Sequence, residues 1–144
     1  MKFTKKGDGY TMLRFEQGEE IYQGITSFCG DHKIQNAIVH AIGAVCDAEL
    51  GYYHLDSKSY SWKTFSGDHE LVAMTGNITL VDDEPFLHAH VVISGTDFIA
   101  HGGHLRKGFA GATCEVILRD LGENNVVSRA MDESIGLRLW NCGG

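Results

Sequence analysis

From Ile34 to Leu118 the chain runs through successive β-prone segments whose joining turns are too short to hold a crossover helix. Parallel neighbours need a connection of about a dozen residues or more, whereas antiparallel neighbours close through a tight turn. That restriction points to a largely antiparallel sheet. The segments are Ile34–Ile42, Val45–His54, Ser59–Phe65, Glu70–Leu80, Phe86–Ser94, Phe98–Leu105 and Thr113–Leu118, with Tyr10–Glu16 ahead of them and Ile135–Trp140 behind. Their apolar and β-prone residues carry the assignment, and Gly43 and Gly51 read as breaks within the early segments. Gly76 marks a bulge or bend, and Asp82-Asp83-Glu84-Pro85 is a turn around the only proline.

A single helix interrupts this pattern. Gly18-Glu19-Glu20 opens it, with acidic side chains at the positive end of the helix dipole, and it runs through about Cys29. Ile21, Ile25 and Phe28 recur at i, i+4 and i+7, one apolar face directed at a core, and Gly30 can terminate the helix. One main N-terminal helix with many strands makes an α+β fold. At 144 residues, with no linker, repeat or low-complexity segment, the chain reads as a single domain over 1–144.

Chemistry concentrates in Phe86–Leu118, where four of the eight histidines fall within seventeen residues. His88 and His90 stand two apart in a strand, so both imidazoles project from one face. Eleven residues after His90, His101-Gly102-Gly103-His104-Leu105 can lie against that strand and supply a third nitrogen, the glycines allowing close backbone approach. Three neutral imidazoles from two strands, with no fourth protein ligand in view, suit an open divalent-metal site. They also suit ordinary hydrogen-bonded sheet histidines. His32, His40, His54 and His69 have no close histidine neighbour in sequence and read as structural.

Hydrophobic and charged fractions of 43% and 22% are ordinary for a soluble globular protein. The N-terminus has no apolar stretch of signal-peptide length, and no apolar run could span a bilayer, which makes the cytoplasm the expected location. Cys29, Cys46 and Cys114 read as small buried apolar residues and Cys142 as part of a mobile tail, Asn141–Gly144; no C-x-x-C pair suggests a zinc ribbon. The net charge is −7, and only Lys5-Lys6 and Arg106-Lys107 are adjacent basic pairs. A surface that neutralises phosphates needs concentrated positive charge, so the composition disfavours nucleic acid.

Several short segments occur in the order found in one known family: Gly18-Glu19-Glu20, Ala41-Ile42-Gly43-Ala44-Val45, Ala48-Glu49-Leu50-Gly51-Tyr52-Tyr53, Leu87-His88-Ala89-His90, Gly102-Gly103-His104-Leu105 and Ala112-Thr113-Cys114-Glu115-Val116. The chain resembles prokaryotic proteins of the plant-and-prokaryote conserved (PPC) domain, also called DUF296, from about Tyr10 to Leu118. The resemblance implies an α+β domain with a mostly antiparallel sheet, assembled as a homotrimer. It also implies a divalent metal, zinc by preference, on the histidines of L-H-x-H and G-G-H-L. Those positions are His88, His90 and His104; His101 falls outside the motif. The family's DNA-binding label comes chiefly from plant members, whose arginine hook has no counterpart here.

Three functions follow as expectations. The first is a cytoplasmic metal-binding homotrimer whose open coordination position recognises or processes a small ligand. A zinc-bound water could act as a hydrolytic nucleophile beside a general acid or base, for which Glu115 and Glu49 are the candidate carboxylates. Three histidines would also accept nickel, cobalt, copper or iron. The second is DNA binding or regulation, with Arg106, Lys107 and Arg119 as the nearest phosphate contacts. The third is a non-catalytic interaction module in which the histidines only order the subunit.

Overall fold

The computed structural model describes residues 1–5, 7–122, 124 and 126–142. The chain forms β1 (Lys2–Lys5), β2 (Tyr10–Glu16), α1 (Ile21–Asp31), β3 (Ala37–His54), β4 (Ser59–Val81), β5 (Glu84–Ser94), β6 (Ala100–Asp120), β7 (Arg129–Asp132) and β8 (Leu137–Trp140). It is an α+β fold. The main sheet has the order β1-β2-β6-β3-β4-β5, and β5 pairs additionally with β6, so the sheet curls back upon itself; β7 and β8 make a separate hairpin. Every ladder is antiparallel. The parallel contact among the described residues is an isolated bridge between Leu80 and Ser128.

Three strands are longer than the sequence suggests. Ile34–Ile42, less its first three residues, and Val45–His54 are parts of one strand beginning at Ala37, Ser59–Phe65 and Glu70–Leu80 are parts of β4, and Thr113–Leu118 continues the strand that starts at Ala100. The glycines bend these strands and do not end them. Register shifts flank Gly43 on both sides, against β4 and against β6. Gly43 itself has φ +141, and a Cβ there would collide with the Thr113 carbonyl oxygen, so only glycine fits. Gly76, by contrast, sits in regular pairing between Val39 and Ala89, and the shift in that ladder lies at Leu71/Ala73. Its service is close approach: a Cβ at Gly76 would meet the His88 carbonyl oxygen and come within 2.9 Å of the Ala89 Cα.

Phe98 lies outside the strand expected to begin with it. Its φ is +59 and its side chain is 89% exposed, at the tip of the turn closed by its amide donating to the Gly95 carbonyl. The closing strand begins at Leu137, because Ile135 and Gly136 form the turn with β7. Strands β1 and β7 have no counterpart in the sequence reading; at four residues each they are too short to show periodicity.

Helix α1 is capped by Glu20, whose carboxylate accepts from the Tyr22 and Gln23 amides, and it continues through Gly30 to Asp31. His32 is the C-cap, and Lys33 turns the chain with φ +56. Ile21, Ile25, Phe28 and Cys29 are buried as one stripe against the sheet. Each Ile or Phe so covered contributes about 1.5–3 kcal/mol of apolar burial. The core on the concave side of the curl is Leu50, Leu71, Met74, Val91, Ile93 and Leu105, together with Val45 and Ala48. Cys29 and Cys114 belong to the core, where burial pushes each thiol up to about 12, which makes them poor nucleophiles. Cys46 is only half-buried, contrary to the expectation, and Cys142 is exposed. Gly143, Gly144 and Lys6, parts of the expected tail and of the first basic pair, lie outside the described residues.

Candidate metal centre

The alternation that buries Leu87, Ala89 and Val91 turns His88 and His90 to the opposite face of β5. His104 of β6 is the register partner of His90, and its other neighbour is Gly51 of β3. The three rings therefore meet where β5 closes upon β6. Their centroids are 5.3 Å (His88–His90), 5.2 Å (His88–His104) and 5.5 Å (His90–His104) apart, an almost equilateral triangle. One nitrogen from each lies within 4.8 Å of the others, and no cysteine or carboxylate among the described residues joins the group.

That triangle has the dimensions of a coordination shell. Imidazole nitrogens about 2.0–2.1 Å from zinc put ring centroids about 3.2 Å from the ion, hence about 5.2 Å from one another at tetrahedral angles. The buried Nδ1 of His104 has no hydrogen-bond partner among the described residues, an arrangement that costs about 1–3 kcal/mol unless something occupies it. The donor set and the orphaned nitrogen both fit a transition metal.

Electrostatics keep the rings ready to ligate. Burial, then the charges of His88, His90 and Arg129, pushes His104 down to about 4. His88 is lowered for the same reasons, burial first, then Arg129 and His90. Near neutral pH both are neutral imidazoles with one lone pair each; on His88 the Nδ1 lone pair is the one that accepts from Arg129, so ligation by this ring requires that bond to be released.

The neighbourhood contains groups that no sequence pattern connects with the histidines. Arg129 of β7 directs Nη2 at the His88 Nδ1 (3.3 Å) and the Asn77 Oδ1 (3.0 Å), Nε at the Thr79 Oγ1 (2.8 Å) and Nη1 at the Arg138 carbonyl (3.0 Å). It lies forty-one residues from His88, in a strand too short to recognise. On the other side, Tyr60 and Trp62 stack on each other and flank His104 at 5.4 and 6.2 Å between centroids. Gly51 leaves them room, since a Cβ there would meet both rings.

Neither candidate carboxylate is among the groups gathered with the histidines. The Glu49 carboxylate accepts from Arg106 at 3.3 Å, and that guanidinium lies 4.8 Å over the Trp62 ring. Glu115 pairs with Arg14 and Ile42 and opens instead into a groove of about 650 Å³ on the convex face of the sheet, beside Met12 and Ile117. His101 packs against Phe65 (4.9 Å) and takes no part in the triangle. The three candidate phosphate contacts are dispersed: Arg106 with Glu49, Lys107 over Phe109 and Arg119 over Tyr10. No helix among the described residues is long and apolar enough to cross a membrane.

Comparison with known proteins places the chain. Among the curated proteins there is no match. Among solved structures, a metal-containing protein from Archaeoglobus fulgidus is 35% identical, with 97% of this chain and 99% of that one covered and a TM-score of 0.87. A plant- and prokaryote-conserved protein from Pyrococcus horikoshii is 31% identical over 96% of this chain and 92% of that one, with a TM-score of 0.84. A Bacteroides thetaiotaomicron protein, named as a presumptive DNA-binding protein, is 25% identical over 97% and 96% of the two chains, with a TM-score of 0.91. The sequence profile of the Plants and Prokaryotes Conserved (PCC) domain matches residues 3–122. With most of its length matched by that profile and its fold shared with those structures, this chain belongs to the Plants and Prokaryotes Conserved domain family.

Proposed function

We propose that this protein is a cytoplasmic, homotrimeric metal-binding protein whose His88, His90 and His104 hold a divalent transition metal, zinc by preference, with one position open to a small ligand. The observation that carries the reading is the ring triangle itself: three imidazoles at coordination-shell spacing with no fourth protein ligand beside them. The metal-containing Archaeoglobus relative supports it. A bound ion would supply Lewis acidity at the open position. The chain's own residues hold His88 and His104 neutral, orient the three imidazoles on paired strands and keep carboxylates away. That arrangement favours ligand binding over hydrolysis assisted by Glu49 or Glu115. The unpaired cysteines suit a reducing compartment.

Assembly is supported by the convex face, where Met12, Ile117, Ile38, Ile42 and Val72 are exposed on adjacent strands. Apolar area of this kind is usually covered by a partner. The test is elemental analysis of protein purified without added metal, with its mass by sedimentation. The expected result is about one zinc-like ion per chain on a particle of three chains. The double variant His88→Ala/His90→Ala is expected to lose the metal while keeping its fold. Undiminished metal in that variant overturns the assignment.

A further inference from the structure

We infer that Arg129 makes the histidine cluster a site for a small oxyanion, with the carboxylate or phosphate of the ligand shared between the metal's open position and this guanidinium. The inference rests on the metal reading above and adds the chemical class of the ligand.

The first argument is charge. All four groups that accept from Arg129 are neutral: the Thr79 hydroxyl, the Asn77 amide, the Arg138 carbonyl and the His88 ring. No carboxylate pairs with it among the described residues. Three neutral imidazoles likewise bring no charge to offset a divalent ion. Metal and arginine together leave about three positive charges in one partly desolvated corner, which a water or a neutral ligand does not compensate. An anion does.

The second argument is donor arithmetic. A guanidinium carries five N–H groups, and the four contacts use four of them. Among the described residues one Nη1 hydrogen has no acceptor. The bond to His88 is the longest of the four at 3.3 Å and the easiest to exchange. The free Nη1 hydrogen and the Nη2 hydrogen released from His88 stand on the two terminal nitrogens of the guanidinium, from which a carboxylate or phosphate can be held.

The third argument is that the hairpin does not need Arg129 to stay in place. The Tyr53 hydroxyl donates to the Ile135 carbonyl (2.6 Å), Lys58 to the Glu133 carbonyl (2.7 Å) and the Leu80 amide to the Val127 carbonyl (3.0 Å), while Arg138 pairs with Asp82 (3.1 Å). The β7–β8 hairpin is therefore tied down along its length independently of Arg129. It also lies beyond residues 3–122 matched by the family profile. A positive charge beside a metal ligand weakens metal binding, and a ligand that bridges the two cations is the compensation.

The test uses the whole protein loaded with cobalt(II), whose visible spectrum reports exogenous ligands. Acetate and inorganic phosphate are titrated as the anions and imidazole as the neutral comparator, with wild type, Arg129→Gln, Arg129→Lys and Arg138→Gln. Arg129→Gln is expected to take up cobalt at least as tightly as wild type. Its acetate and phosphate dissociation constants should rise at least about tenfold, the usual effect of losing a hydrogen bond to a charged group. Imidazole should bind all four proteins alike. Arg129→Lys should fall between wild type and Arg129→Gln, and Arg138→Gln, which removes a charge from the same hairpin, should match wild type. Unchanged anion affinity in Arg129→Gln overturns the inference, and so does loss of cobalt, which would make the arginine merely a support for His88. Wild type that binds cobalt and imidazole but neither anion defeats this inference alone. Wild type that takes up no cobalt removes the metal reading and this one with it.

Discussion

At His104 the surroundings decide the protonation state. Half-buried beside His88, His90 and Arg129, and walled by Tyr60 and Trp62, the ring has its pKa pushed down to about 4, against about 6.5 in an unfolded chain. Between those values the unfolded state binds more protons than the folded one, so stability falls as pH drops from about 6.5 toward 4 and the contribution is flat outside that window. His88 is shifted in the same direction and adds to it. The lowered carboxylates Glu16, Glu19 and Asp132 lose their contribution at lower pH still, which leaves the interval above pH 5 to the histidines. Metal-free protein should therefore show a falling urea midpoint between pH 7 and pH 5. His104→Gln should flatten that slope; an identical slope in the variant would place its origin elsewhere.

Strand β5 is held against β4 closely enough that Gly76 cannot carry a side chain without displacing the backbone at His88 and Ala89. Gly76→Ala should destabilise by about 1–3 kcal/mol, as overpacking does. It should also weaken metal uptake, because the strand it moves carries two of the three histidines. Chemical denaturation and metal titration of the same variant test both, and a stable variant with full metal affinity would show that β5 is seated less tightly. The sequence conveyed the face but not the length of such elements. Period-2 alternation put His88 and His90 together, and the i, i+4, i+7 stripe of Ile21, Ile25 and Phe28 located the helix. Gly43 and Gly51 looked like breaks because nothing in a sequence tells a bent strand from an ended one; the partner strands that hold them lie far along the chain. His104 could be chosen over His101 only through family resemblance, since both flank the same glycine pair. Arg129 carried no signal at all, as its place beside His88 is created by the return of a hairpin whose first strand has four residues.

For the whole molecule, charge is the property most at odds with the DNA-binding description borne by some relatives. Each chain has net charge −7, and a trimer would carry about −21 (three times −7), a field that repels a polyanion unless basic groups segregate onto one surface. They do not segregate. Arg106 is neutralised by Glu49, Lys107 lies over Phe109 and Arg119 over Tyr10, on a face where Glu115 and Glu16 also stand. The strongest local positive charge would be the metal with Arg129, which is compact enough for one carboxylate or phosphate group and too small for the several phosphate contacts that give duplex affinity. Phosphate chemistry at the metal and phosphate chemistry along a DNA backbone are therefore separate expectations, and the first does not carry the second. A fluorescence-anisotropy titration with mixed-sequence and A·T-rich duplexes at about 150 mM salt should show only weak association, with dissociation constants above roughly 1 μM, in the non-specific range. Binding tighter than that, and steeply weakened by added salt, would mean that assembly creates a basic surface absent from the single chain, and would make the regulatory reading the primary one.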